Sequence, residues 1–298
     1  MYWGMNKMLI TKTLFYFYKK GKNLLGGKGL TKYSFIRKVK HYSLSNLQTD
    51  HAEIFGNKLI LSKKGLALSI SHYGTYEELE AKIMEEKIKV GNIVVDVGAN
   101  IGLHTLNMAR IVGNTGQVFA FEPDPSNFEI LRKNVKINNY QNIILEQKAV
   151  GDKHGRTTLY QSDHPGKHRI FPQTKKAKGE VEVELTSLDK YFIDSNLAEK
   201  INFIKIDVEG LEFSVLNGMK NILKNNKKIK ILFEFMPDIM EVGFAPIEVL
   251  NLLTSIDFKL YCIDDRAKKL LRVSNNDEIL KLCLSTNNTI SRNLFCEK

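Results

Sequence analysis

The chain has 298 residues, 43% of them hydrophobic, which is enough for one large domain, or one domain plus a small accessory region, around one sizeable core. Its formal net charge of +11 is uneven: residues 1–50 carry ten Lys or Arg against the single acid Asp50, a local +9 that leaves +2 for the rest. The three cysteines, Cys262, Cys283 and Cys296, form no C-x-x-C pair, which argues against a zinc site and a disulfide framework and fits buried, inert thiols in a reducing, cytoplasmic compartment.

In chain order, three regions are expected: a basic N-terminal arm (1–50), an accessory hairpin and helix (51–90), and a main domain (91–298). Within the arm, Met8 to Tyr18 is apolar but interrupted by Lys12 and too short to cross a bilayer. It lacks the uninterrupted apolar region and small-residue cleavage site of a secretory signal. Trp3, Phe15, Phe17 and Tyr18 beside Lys19, Lys20 and Lys22 suit a segment resting on an anionic membrane, with packing onto the domain as the plainer alternative. The charge itself points to an anionic surface, membrane lipid or nucleic acid, unless it is simply a solvated tail.

Lys58–Leu61 and Leu66–Ile70 read as two short strands joined by a polar turn that ends in Gly65. Thr75-x-x-Glu78 then forms a capping box for a helix to about Lys87. From Gly91 onward apolar strands alternate with helical periodicity: strand 93–97, helix 103–112, strand 117–122, helix 127–138 opened by Ser126-x-x-Glu129, strand 142–147. That alternation predicts a parallel sheet with helices on both faces. Two more strands, 157–161 and 180–185, flank a long polar loop from Ser162 to Gly179, a length usual for functional or mobile loops. Strand 201–207, helix 211–223, strand 229–235, helix 246–255 and strand 258–263 resume the parallel order, and a last strand, 293–297, returns antiparallel beside 258–263.

The most specific stretch is Asp96-Val97-Gly98-Ala99-Asn100-Ile101-Gly102 followed by Phe119-Ala120-Phe121-Glu122-Pro123. A strand ends in a glycine turn that admits close backbone approach, the next helix presents unpaired N–H groups there, and about twenty residues on an acid ends the following strand, where it can hold ribose hydroxyls. A dinucleotide site needs G-x-G-x-x-G for its pyrophosphate, whereas this turn is Gly98-x-x-x-Gly102 with Asp96 in front. An acid there repels phosphate and suits a cation. S-adenosylmethionine, with a ribose, an ammonium, a sulfonium and no phosphate, has the matching chemistry.

With Lys148-Ala-Val-Gly-Asp152, Thr186-Ser-Leu-Asp189 and Ile204-Lys-Ile-Asp-Val-Glu-Gly-Leu-Glu212 added, the ordered motifs of residues 70–298 resemble the FkbM family of S-adenosylmethionine-dependent methyltransferases. The resemblance implies a doubly wound, seven-stranded, mostly parallel class I methyltransferase sheet behind the basic N-terminal extension. It also implies O-methylation of a hydroxyl on a sugar, glycolipid or other small molecule. Carried over residue by residue, Asp96, Gly98, Asn100 and Gly102 would line the methionine end of the cofactor, Glu122 would hold its ribose, and Ala149 and Val150 would flank its adenine.

Asp207 and Glu209 end the strand 201–207, at the crevice where open α/β sheets bind ligands. There they could orient the acceptor hydroxyl, act as a general base or hold a divalent ion through oxygen ligands. Glu212 and Glu234 are weaker candidates, since acids in first helical turns and at strand ends serve the helix dipole alone. His164 and His168 in the long loop are the histidines placed to close over an acceptor, His168 being the candidate base, although a loop histidine is more often merely solvated. The rival readings are a ribose 2′-O RNA methyltransferase and a non-catalytic cofactor-binding module. The strand end Ile-Asp-Val-Glu-Gly, in place of Asn/Asp-Pro-Pro-aromatic, argues against methylation of base amines. Acceptor identity, metal dependence and oligomeric state are not legible in the sequence.

Overall fold

The structure is a computed structural model that describes residues 51–61, 77–162, 168–170, 179–237, 245–264, 268–273, 275–284 and 292–298. The basic arm, the expected strand Leu66–Ile70 and the capping residue Thr75 lie outside them.

Strands β1 (His51–Ile54) and β2 (Asn57–Ile60) pair antiparallel across a Phe55-Gly56 turn in which both residues have positive φ. The predicted strand 58–61 is therefore the second arm of a hairpin, and its partner precedes it. Helix α1 (Glu78–Lys87) ends where expected and starts from Glu77 at φ 50°, with no side-chain cap.

The next elements follow the predicted alternation: β3 (Ile93–Val97), α2 (Leu103–Val112), β4 (Gln117–Phe121), α3 (Pro125–Ile137) and β5 (Ile143–Glu146). The cap of α3 is corrected. Asp124, not Ser126, is its N-cap, with the carboxylate accepting from the Ser126 and Asn127 N–H groups and Pro125 opening the helix. Glu129 instead pairs with Arg132 and Lys133 on the exposed face. Two asparagines of α3 hold the hairpin. Asn134 accepts from Ile60 N–H (2.6 Å) and donates to Ile60 C=O (3.1 Å), and the Asn138 amide does the same for Lys58. Side-chain amides thus take the place of a third strand.

A short strand β6 (Lys148–Val150), β7 (Gly155–Gln161) and β8 (Gly179–Thr186) form a separate three-stranded sheet in the order β6-β8-β7. After α4 (Leu188–Tyr191) come β9 (Ile201–Ile206), α5 (Glu212–Asn217), α6 (Lys220–Asn225), β10 (Lys230–Phe235), α7 (Pro246–Thr254), β11 (Lys259–Asp264), β12 (Lys269–Arg272), α8 (Asn276–Leu284) and β13 (Arg292–Glu297). The predicted helix 211–223 is two helices. A Cβ at Gly218 would lie 1.9 Å from the Gly151 carbonyl oxygen, so the chain bends here against the end of β6, and the Asp189 carboxylate starts α6 by accepting from Asn221 and Ile222 N–H.

Among the described residues the main sheet runs β12-β11-β13-β10-β9-β3-β4-β5. Strands β5, β4, β3, β9 and β10 are parallel, and β13 lies antiparallel between β10 and β11. These seven strands are the expected sheet, and β12 adds an eighth at the edge through a hairpin with β11. Neighbouring residues go to opposite faces and both are buried: Val94, Phe203 and Leu232 pack with Met108 and Phe295, while Val95, Ile204 and Phe233 pack with Leu216 and Leu250. Helices cover both faces, which is why these strands read as unbroken apolar runs. Cys262 and Cys296 are buried thiols on β11 and β13, in no disulfide among the described residues, and burial pushes the Cys296 thiol up, as expected of inert cysteines.

Candidate active site

Three strands bring the site together at one level. Val97 of β3 lies beside Ile206 of β9, and Ile206 beside Phe233 of β10, so the next residue on each strand, Gly98, Asp207 and Glu234, follows at the carboxyl end of the sheet. The β3–β9 boundary is also where the strand order reverses direction, the place where open α/β sheets bind ligands.

Gly98 has φ 85°, and a Cβ there would fall 1.8 Å from the Asp207 carbonyl oxygen. The glycine lets the turn press against the exit of β9, where Asp207 N–H donates to Val97 C=O at 2.9 Å. Asn100 (φ 51°) and Gly102 (φ 95°) complete the turn. Glu122 ties it to β4: its Oε2 accepts from Asn100 N–H at 2.7 Å and its Oε1 from Asp124 N–H at 3.0 Å. The carboxyl is pushed up to about 7, chiefly by burial, against the opposing effect of those two N–H donors. Asp96 lies beneath the turn at 1% exposure. Its Oδ2 accepts from Thr105 Oγ1 at 2.6 Å, while Oδ1 is buried with no hydrogen-bond partner among the described residues. Ala149 and Val150, on β6, are each 2% exposed with side chains in packed clusters, so what they can offer a base is backbone.

Asp207, Glu209 and Glu234 each present a carboxylate oxygen within 4.8 Å of the others. Burial first, then Asp207 and Glu209, push Glu234 up to about 9. Glu212 is buried behind them. Its Oε1 accepts from Val208 and Gly210 N–H, holding the loop that carries Asp207 and Glu209, and burial raises it to about 7. Lys205, one turn of the pleat below Asp207, donates Nζ–H to Asp207 Oδ2 at 3.0 Å. A small cavity beside this pair is lined by Glu77 and Glu80 of the α1 start, Lys205, Asp207, Glu234 and Asn293. His104, in the first turn of α2, meets Glu77 through Nε2 at 2.5 Å. The three clustered carboxylates are hard oxygen donors that a divalent cation could bridge, but the Lys205 ammonium already balances one of them.

His168 is not part of this group. Its Nδ1 accepts from Ser162 N–H and its Nε2 stands 3.8 Å from Asp124, at the Glu122 side of the crevice; burial lowers its pKa, so the ring is neutral. From the same segment Arg169 reaches Glu209, at 3.8 Å. His164 lies outside the described residues. Sequence reasoning missed Arg169, Lys205, Glu77 and His104, and ranked Glu234 below Asp207. For Lys205 the signal was a charged residue inside an apolar strand, between Ile204 and Ile206; Glu77, His104 and Arg169, at a helix start, on a helix and in a loop, carried none.

A parallel sheet of this order with helices on both faces, a glycine turn at its switch point and an acid ending the next strand define the class I methyltransferase fold. The chain belongs to the Methyltransferase FkbM domain family, which it matches over residues 96–260, more than half its length. Over 175 residues it is 28% identical to the hexuronic acid methyltransferase AglP of Haloferax volcanii, covering 58% of this chain and 66% of that protein. It is 27% identical over 146 residues to Methyltransferase 1 of Beauveria bassiana, covering 43% and 58%. The chain thus spans about three-fifths to two-thirds of these relatives. Among solved structures it is similar to the FkbM methyltransferase of Methylobacillus flagellatus, with a TM-score of 0.41 and 16% identity over 77% of this chain and 52% of that one.

Proposed function

We propose that the protein is an S-adenosylmethionine-dependent O-methyltransferase acting on a hydroxyl of a sugar, glycolipid or other small molecule. The observation that carries this reading is the shared level of the Gly98 turn and the Asp207, Glu209 and Glu234 carboxyl groups, which sets the glycine turn directly beside groups that can accept or donate a proton. The sugar class draws support from the name of the relative AglP.

The residues present fit the cofactor. Asp96 keeps a buried oxygen without a hydrogen-bond partner among the described residues, the sequence has no phosphate-binding glycine pattern, and the surrounding acids favour a cation. The Gly98–Gly102 turn and Asp96 would hold the methionine end, and Glu122, at the end of β4 beside that turn, would hold the ribose. When bound, S-adenosylmethionine supplies a methyl carbon already activated by its sulfonium. What remains for the protein is alignment, exclusion of water and removal of one proton. Asp207, paired with the Lys205 ammonium at 3.0 Å, is the group suited to take the proton from the acceptor oxygen. Glu234, protonated near neutral pH, can donate a hydrogen bond to that oxygen's neighbourhood, and Arg169 steadies Glu209. The same acids make the crevice hostile to a polyanion, which weighs against the RNA alternative.

The test is incubation with methyl-labelled S-adenosylmethionine and a panel of glycosides, glycolipids and RNA, read by mass spectrometry. Label on a sugar hydroxyl supports the proposal, and label confined to RNA ribose overturns it.

A further inference from the structure

Lys205 is an unusual residue for the middle of a parallel sheet. It is 6% exposed, in a strand with neighbours on both sides, and lies next to Asp96 across the β3–β9 ladder. Three elements turn acids towards it: Asp96 from β3, Asp207 from the loop after β9, and Glu77 from the start of α1. Glu80 of α1 and Glu234 of β10 line the same cavity, and His104 of α2 engages Glu77 from behind. A buried ammonium is costly unless paired, and this one is placed where its charge is felt at the crevice.

We propose that Lys205 is a positioning residue that forms one charge-balanced unit with Asp207, and that this unit sets how strongly the crevice prefers the cationic methyl donor over its neutral thioether product. The inference rests on the function proposed above. If Asp207 takes the acceptor's proton, the Gly98 turn beside it would hold the methyl donor close to that carboxylate. At close range a unit charge inside a protein acts strongly on another. In the transfer the S–CH3 bond breaks, the C–O bond forms, the sulfur becomes neutral and the hydroxyl proton passes to the carboxylate. Positive charge therefore leaves sulfur and appears at Asp207. A crevice with unbalanced acids would grip the donor over its product, and Lys205 moderates that preference.

The test is calorimetric binding of S-adenosylmethionine and S-adenosylhomocysteine to the full chain, read as the ratio of their dissociation constants. Lys205→Met should raise the preference for the donor by about fivefold or more, and Asp207→Asn should lower it severalfold. The double variant should return to within twofold of the parent, and Lys205→Arg should stay there. A purely structural lysine would weaken both ligands together and leave the ratio unchanged, and that result for Lys205→Met overturns the proposal. If Lys205→Met does not fold, the half-exposed Asp207 decides: an unchanged ratio in Asp207→Asn also overturns it. Failure of the parent to bind either ligand counts against the cofactor assignment itself, which keeps the two ideas separable.

Discussion

At the scale of single residues the site is a set of carboxyl groups sorted by their surroundings. Glu122 is engaged by two N–H groups of the turn and buried, so Glu122→Ala removes both a proposed ribose partner and the tie to Asn100. Affinity for S-adenosylmethionine should fall by about 1–3 kcal/mol, and an unchanged calorimetric constant would sink the ribose assignment. Asp207→Asn and Glu209→Gln should each lower turnover by an order of magnitude or more while donor affinity changes only severalfold, because these acids are the groups proposed to serve the acceptor. Parent turnover in both would make them structural, and insensitivity of the parent to chelators would remove a metal from the scheme. Glu234 sits at about 9 and Glu212 at about 7, both above the ordinary 4.5. The folded state therefore holds protons there that the unfolded chain releases. Their stabilising contribution is full below about pH 4.5 and is lost as pH rises through 7 and 9. Glu234→Gln should accordingly raise the melting temperature at pH 8.5 more than at pH 5.5, flattening the profile. A parallel shift at both pH values would show that Glu234 is ionised throughout.

At the scale of elements, placement follows from strand register and from the turns that end each strand. The β3 turn works because residue 98 has no Cβ. Gly98→Ala should force it away from the Asp207 carbonyl and out of a left-handed backbone conformation, at a cost of at least 1–3 kcal/mol in stability. Cofactor affinity should fall in the same variant, since the turn and the Asp207 loop move together; retained melting temperature and affinity would show that the contact is slack. The elements most readily read from sequence were those with strong periodicity and their own end signals: strand 93–97 and helix 103–112 stand where expected. Boundaries set by distant partners were not legible. The break at Gly218 depends on Gly151, 67 positions away, and the β1–β2 hairpin is held by Asn134 and Asn138, whose spacing looks like any polar helix face.

At the scale of the whole molecule, no helix among the described residues is long and apolar enough to cross a membrane, and the basic arm adds its own proposal. We propose that residues 1–50 bring the enzyme to an anionic leaflet, each basic residue near the surface contributing about 1 kcal/mol, so that a glycolipid or lipid-linked sugar comes within reach. Replacing Lys19, Lys20 and Lys22 by Gln should reduce salt-sensitive sedimentation with anionic vesicles and leave cofactor binding intact. If the parent ignores such vesicles at low salt and binds RNA tightly, the membrane proposal fails. The sequence by itself determined the alternating α/β order, the glycine turn from Asp96 to Gly102, the acid at Glu122 and the strand-end pair Asp207 and Glu209. All of these are local signals, written in contiguous residues whose backbone needs are fixed by sterics and periodicity. Only the tertiary structure decided that Glu234 joins that pair, that Lys205 is the buried counter-charge, that Glu77 and His104 close the same cavity, and that Arg169 rather than His168 reaches the acids. The hydrogen-bonded register of β3, β9 and β10 brings Glu234 level with Asp207 and sets Lys205 beside Asp96, while Glu77, His104 and Arg169 arrive from elements tens of positions or more away, a pairing that no local pattern encodes.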